Sequence, residues 1–142
     1  KYEVVPGTTL KADYYHVKGD SSFVSYANPG VVRATNGDLL QSEFDSITVG
    51  LTQQFNDKLR GTLGYGYMNF EQDNGYVTAT ANPTAINKDL WQAWANVFYS
   101  PTKPLSFGLE YVYGEREALG AATNGSTKGE DNRINAVAIY SF

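Results

Sequence analysis

Arg133-Ile134-Asn135-Ala136-Val137-Ala138-Ile139-Tyr140-Ser141-Phe142 closes the sequence, and its alternate positions differ in character. Phe142, Tyr140, Ala138, Ala136 and Ile134 form one set, apolar throughout with aromatics at its end. Ser141, Ile139, Val137, Asn135 and Arg133 form the other. Successive side chains of a β-strand point to opposite faces, so the segment reads as a strand with one wholly apolar face.

The same pattern recurs upstream. From Leu105, one face carries Leu105, Phe107, Leu109, Tyr111 and Tyr113, and the other Ser106, Gly108, Glu110, Val112, Gly114 and Arg116. From Leu59, one face carries Leu59, Gly61, Leu63, Tyr65 and Tyr67, and the other Arg60, Thr62, Gly64, Gly66 and Met68. From Phe44, Ile47, Val49, Leu51 and Phe55 oppose Ser46, Thr48, Gly50, Thr52 and Gln54. The segment Leu90 to Tyr99 is less clean: Trp91, Ala93, Ala95, Val97 and Tyr99 point one way, and Gln92 and Asn96 the other along with Trp94 and Phe98. Thr9 to Lys18 and the stub Tyr2 to Val5 complete the expected strands.

The face opposite the apolar one is small and polar, with few charges. A soluble sandwich lines its outside with charge, whereas Gly, Ser and Thr suit a crowded or water-filled lumen. Phe55, Tyr99, Tyr113 and Tyr140 lie near strand ends on the apolar face, where rings form interfacial girdles. The connections alternate as well. Residues 6–8, 56–58 and 100–104 are short turns, while 19–43, 71–89 and 117–132 are long and polar. Tight periplasmic turns alternating with long extracellular loops define an outer-membrane barrel. The fold expected is therefore all-β, an antiparallel transmembrane β-barrel in the bacterial outer membrane, with residues 1–142 forming part of one barrel domain.

Bulk composition sets limits. Eleven Tyr stand among 142 residues, cysteine is absent, and the formal charge is −4 with both signs scattered. No basic tract offers a nucleic-acid footprint. No apolar run approaches the roughly 20 residues of a membrane helix, but a barrel strand needs only about 10, half of them apolar. Six strands and a stub are too few to close a barrel, for which about eight is the practical minimum. The expectation is a C-terminal portion of a longer polypeptide; closure by several copies is the alternative.

A terminal Phe with alternating apolar positions resembles the outer-membrane recognition signal, which the barrel-assembly machinery reads by edge pairing. Phe142, Tyr140, Ala138, Ala136 and Ile134 would carry it. More specifically, the stretches Leu90 to Pro101, Leu105 to Glu117 and Lys128 to Phe142 resemble the C-terminal hairpins of DcaP-like porins. That resemblance implies a barrel of about sixteen strands, of which this chain holds fewer than half. It further implies a homotrimer embedded in lipid bilayer and lipopolysaccharide, and diffusion of small, often dicarboxylic, anions. No enzyme activity, cofactor or metal is expected.

Candidate lumenal residues follow from the strand faces. Arg116 and Arg133 flank the last long loop near the extracellular mouth, and Arg60 and Lys11 point inward near the periplasmic end. They form a basic ladder for carboxylates, or else each pairs with a carboxylate such as Glu110 or Asp13 and stiffens the wall. Asn135 lies on the same face. His16, the single histidine, reads as a girdle or loop-base residue; Asp13 falls on the opposite strand face, which counts against a catalytic dyad. Asp38, Glu43, Asp73 and Glu130 lie in or beside long loops without the spacing of a calcium loop. A plugged adhesive barrel with partner-binding loops and an outer-membrane enzyme are the other classes considered.

Overall fold

The computed structural model describes residues 2–19, 28–71 and 75–142. Seven strands form one antiparallel sheet: β1 (Tyr2–Val5), β2 (Thr8–Lys18), β5 (Glu43–Asn56), β6 (Leu59–Phe70), β7 (Asn87–Thr102), β8 (Leu105–Ala118) and β9 (Lys128–Tyr140). They pair in that order and the sheet stays open at β1 and β9. A separate hairpin, β3 (Val31–Arg33) with β4 (Leu39–Gln41), lies between β2 and β5. One helical turn, α1 (Tyr76–Ala79), and a 3-10 turn (Pro83–Ala85) lie between β6 and β7. None of the helices among the described residues is long and apolar enough to cross a membrane; the crossing is made by strands.

The expected strands all form, with shifted ends. The last strand runs from Lys128 to Tyr140, so it starts earlier and stops before Phe142. Pairing to β8 ends where β8 begins, at Leu105 opposite Tyr140, with one further backbone bond from Ser141 N to Pro104 O at 2.8 Å. The tight turns have local causes. Asn56 Oδ1 accepts the N–H groups of Lys58 (2.9 Å) and Leu59 (3.0 Å), an Asx turn that reverses the chain between β5 and β6.

Register makes the outer face explicit. Leu10, Leu51, Leu63, Ala95, Tyr111 and Ile134 form one cross-strand row from β2 to β9. No second layer covers these residues: Leu63 is 62% exposed and Ile134 72%. An apolar face of this extent is stable against hydrocarbon, not water.

The apolar band also slopes. The row through Tyr14, Ile47, Tyr67 and Trp91 turns acidic at Glu115 and Glu130. On β9 the first apolar outward residue is Ile134, four positions below Glu130. A drop of about 13 Å across five spacings, or about 24 Å, tilts the strands roughly 30° from the band's normal. Membrane barrels tilt by a similar angle.

The buried core lies on the opposite face. Phe44, Met68, Phe70, Tyr76 and Ile86 cluster there, with Val17, Val32, Leu40 and Leu90 against them. Phe44, Met68, Phe70 and Leu90 are inward-facing residues near the long-loop end of their strands. The hairpin β3–β4 and α1 therefore fold back onto the lumenal wall. The long connections are more than solvated loops: parts of them pack on the inner face of the sheet.

Candidate functional site

The lumenal wall is a set of cross-strand rows. Thr9, Thr52, Thr62, Asn96, Glu110 and Asn135 form one row. Thr52 and Thr62 share a hydroxyl hydrogen bond of 3.0 Å. The next row toward the long loops runs Lys11, Gly50, Gly64, Trp94, Val112, Arg133. The row below the first holds Gln54, Arg60, Phe98, Gly108 and Val137.

Two aromatics shape this wall, and each lies over a glycine. A Cβ built on Gly64 would lie 2.1 Å from Trp94 Cε2. One on Gly108 would lie 2.6 Å from Phe98 Cε1. The glycines let both rings lie flat, leaving space in front of them. That space is a cleft of about 360 Å³ bordered by Lys11, Asp13, Arg60, Thr62, Trp94 and Asn96.

The predicted basic residues divide into two pairs. Arg116 and Arg133 border a second cleft, of about 320 Å³, at the β9 edge. Neither is uncommitted. Arg116 donates through Nε to Asn87 Oδ1 and through Nη2 to Thr84 O at 2.9 Å. It thereby fastens the loop before β7 to the wall. Arg133 pairs with Asp131 at 3.3 Å. Lys11 and Arg60 form no ion pair among the described residues, and Asp13, beside Lys11, forms none either. Arg60 lies over the Phe98 ring instead, its guanidinium carbon 4.7 Å from the centroid. Glu110 pairs with no arginine: it accepts from Asn96 Nδ2 (3.2 Å) and Asn135 Nδ2 (3.1 Å). The anticipated Arg–Glu110 and Arg–Asp13 pairs are thus replaced by amide contacts, a ring contact and Asp131.

The folded-in loops are joined by buried polar contacts. Asn28 is 2% exposed; it donates to Asn87 O (2.9 Å) and accepts from Asn87 N (2.8 Å). Tyr76 Oη donates to Pro29 O at 2.6 Å, and burial raises its pKa above the ordinary 10.0. Sequence reasoning missed these residues. The signal available was the run of apolar side chains at inward positions near one strand end.

On the outer face, Trp91 stacks on Tyr65 (6.2 Å between centroids) and meets Tyr113 edge-on (5.5 Å). Tyr14 and Tyr67 extend this upper girdle, and Phe55, Tyr99, Phe107 and Tyr140 mark a lower one. His16 stands above the upper girdle on the outer face, 3.1 Å from Asp45 and 3.4 Å from Glu43. It faces away from the lumen. Among the described residues no three His, Cys, Asp or Glu side chains are grouped to hold a metal. Asp73 lies outside the described residues.

A family model described as DcaP outer membrane protein matches residues 1–142. Among solved structures, the outer membrane channel DcaP of Acinetobacter baumannii is similar, with a TM-score of 0.87 and 33% identity. The match covers 99% of this chain and 38% of that one. The chain thus spans about two fifths of the length of that channel. No curated protein matches.

Proposed function

This chain belongs to the DcaP outer membrane protein family, and from that premise we propose that it supplies part of the wall of a passive diffusion channel preferring small anions such as dicarboxylates. One observation carries the preference: Lys11 and Arg60 border the lumenal cleft without a carboxylate partner among the described residues. A guanidinium on a ring and an ammonium with no ion pair among the described residues leave their charge to a passing solute. Thr62 and Asn96 beside them offer hydroxyl and amide hydrogen bonds to carboxylate oxygens. Arg116, Arg133, Glu110 and Asn135 line the wall and hold it in shape. Family resemblance supports a homotrimer in a lipopolysaccharide-bearing membrane of a Gram-negative bacterium, assembled through the strand ending at Tyr140. Neither the family nor the solved relative is an enzyme, and the proposed role is transport without catalysis.

The test is reversal potential in a KCl gradient across a planar bilayer holding the assembled barrel. Anion selectivity that falls on replacing Lys11 or Arg60 by Gln supports the reading; cation selectivity, or indifference to both changes, refutes it. The inward-folded loops favour one other reading, a plugged barrel whose loops bind a partner. Open-channel steps in the same recording would exclude it.

A further inference from the structure

Resting on the channel reading above, we propose that Phe98 is a positioning residue that keeps the charge of Arg60 available by holding it away from Glu110. Arg60, Phe98 and Gly108 are direct cross-strand neighbours on β6, β7 and β8. Glu110 lies on β8, two residues further along than Gly108. Two strand spacings and a two-residue offset put Arg60 and Glu110 roughly 12 Å apart at Cα. Two long side chains reach across that gap. A bidentate pair between them would be the stronger contact for both.

The wall prevents it in two ways. The Phe98 ring fills the space between them, seated on Gly108, and takes the face of the guanidinium at 4.7 Å. Asn96 and Asn135 each donate to one oxygen of Glu110, at 3.2 and 3.1 Å, and hold the carboxylate in its own row. Each charge has a neutral partner. A guanidinium on a ring keeps its full charge and leaves N–H donors on its edge free, whereas one paired with a carboxylate presents a neutral unit to solutes. The aromatic ring is therefore a determinant of ionic selectivity although it carries no charge.

The test uses reversal potentials of the assembled channel bearing Arg60→Gln, Phe98→Ala, Phe98→Tyr, Glu110→Gln or the pair Phe98→Ala/Glu110→Gln. Phe98→Ala is expected to produce most of the shift toward cations that Arg60→Gln produces, and Phe98→Tyr none. In the Glu110→Gln background, Phe98→Ala is expected to shift much less, because the carboxylate that the ring screens from Arg60 is gone, while Asp57, which borders the same cleft as Arg60, is unchanged. If Phe98→Ala fails to assemble, Phe98→Leu, which keeps bulk on Gly108 but no π face, is expected to give the same shift. Raised conductance with unchanged selectivity in either variant overturns the proposal, as does an undiminished shift in the Glu110→Gln background. All readouts are differences between variants. A cation-selective parent would refute the anion preference and leave this inference standing; an anion-selective parent indifferent to Phe98 would do the reverse.

Discussion

Replacing Gly64 by Ala tests the lumenal wall most directly. The added Cβ would fall 2.1 and 2.2 Å from two ring carbons of Trp94 and 2.7 Å from its Nε1. All three contacts are well inside van der Waals separation, so the indole must leave its seat. Overpacking of this kind costs about 1–3 kcal/mol. Against it runs the usual benefit of replacing a strand glycine, about 0.5–1 kcal/mol. Gly50 separates the two effects. It is the direct cross-strand partner of Gly64, and a Cβ there meets only Leu63 O at an ordinary 3.8 Å. Gly50→Ala keeps the entropic benefit without the clash, so the difference between the two variants isolates overpacking at about 1–3 kcal/mol. The assay is urea unfolding of the barrel from lipid vesicles, with single-channel conductance beside it. Gly64→Ala is expected to be less stable than Gly50→Ala by that difference. It should also conduct less, because the displaced indole enters the cleft. Trp94→Ala in the Gly64→Ala background should restore conductance. Equal stability of the two variants with unchanged conductance would refute the claim that Trp94 needs that glycine.

Arg116→Ala removes the bonds to Asn87 and Thr84 O that fasten the loop before β7. Charged hydrogen bonds of this kind contribute about 1.5–3 kcal/mol each, so the variant should show noisier open-channel current and faster proteolysis between residues 76 and 86, with ionic selectivity little changed. A quiet channel with the parent's proteolysis rate would return Arg116 to the role of solute ligand. On the outer face, Leu109→Arg should cost about 2–4 kcal/mol near the bilayer midplane and reduce assembly, whereas Asn135→Arg, on the lumenal face, should assemble normally. Equal assembly yields for the two would contradict the assignment of faces.

The strands were legible because lipid imposes a strict period of two on one face. Leu105 to Tyr113 and Ile134 to Tyr140 kept that period without exception, and their pairing followed from turn length. What was not legible depends on register between strands distant in sequence. That Trp94 lies on Gly64, or Phe98 between Arg60 and Gly108, cannot be read from either strand alone; the ladder brings them together. Trp94 and Phe98 registered only as irregularities on an inward face, and Gly64 only as a small residue. The folded-in loops were missed for a related reason. Phe44, Met68, Phe70 and Leu90 break the polar character of the lumenal face, and a strand-by-strand reading has no element with which to cover them. Arg116 was placed on the correct face, but its partners are Thr84, in a loop whose path the sequence does not specify, and Asn87, where that loop enters β7.

The location of charge reconciles an acidic chain with the anion preference proposed above. The net charge of −4 is a sum over two strand faces and the loops and turns between strands, which solutes do not meet equally. Glu43, Asp45, Asp89, Glu115, Glu117 and Glu130 lie along the outer rim above the aromatic girdle, partly offset by Lys18, Lys88 and Lys128. On the lumenal strand faces, Lys11, Arg60, Arg116 and Arg133 stand against Asp13, Glu110 and Asp131. A solute in the lumen is separated from the outer rim by the wall, and salt screens exposed charges over roughly 8–10 Å. It therefore responds chiefly to these inner charges. Among them, Asp131 holds Arg133 and the loop holds Arg116, which leaves Lys11 and Arg60 without an ion pair among the described residues. Selectivity in such a wall depends less on how many charges it contains than on which have been given neutral partners, and that is why Asn96, Asn135 and Phe98 matter as much to it as the arginines.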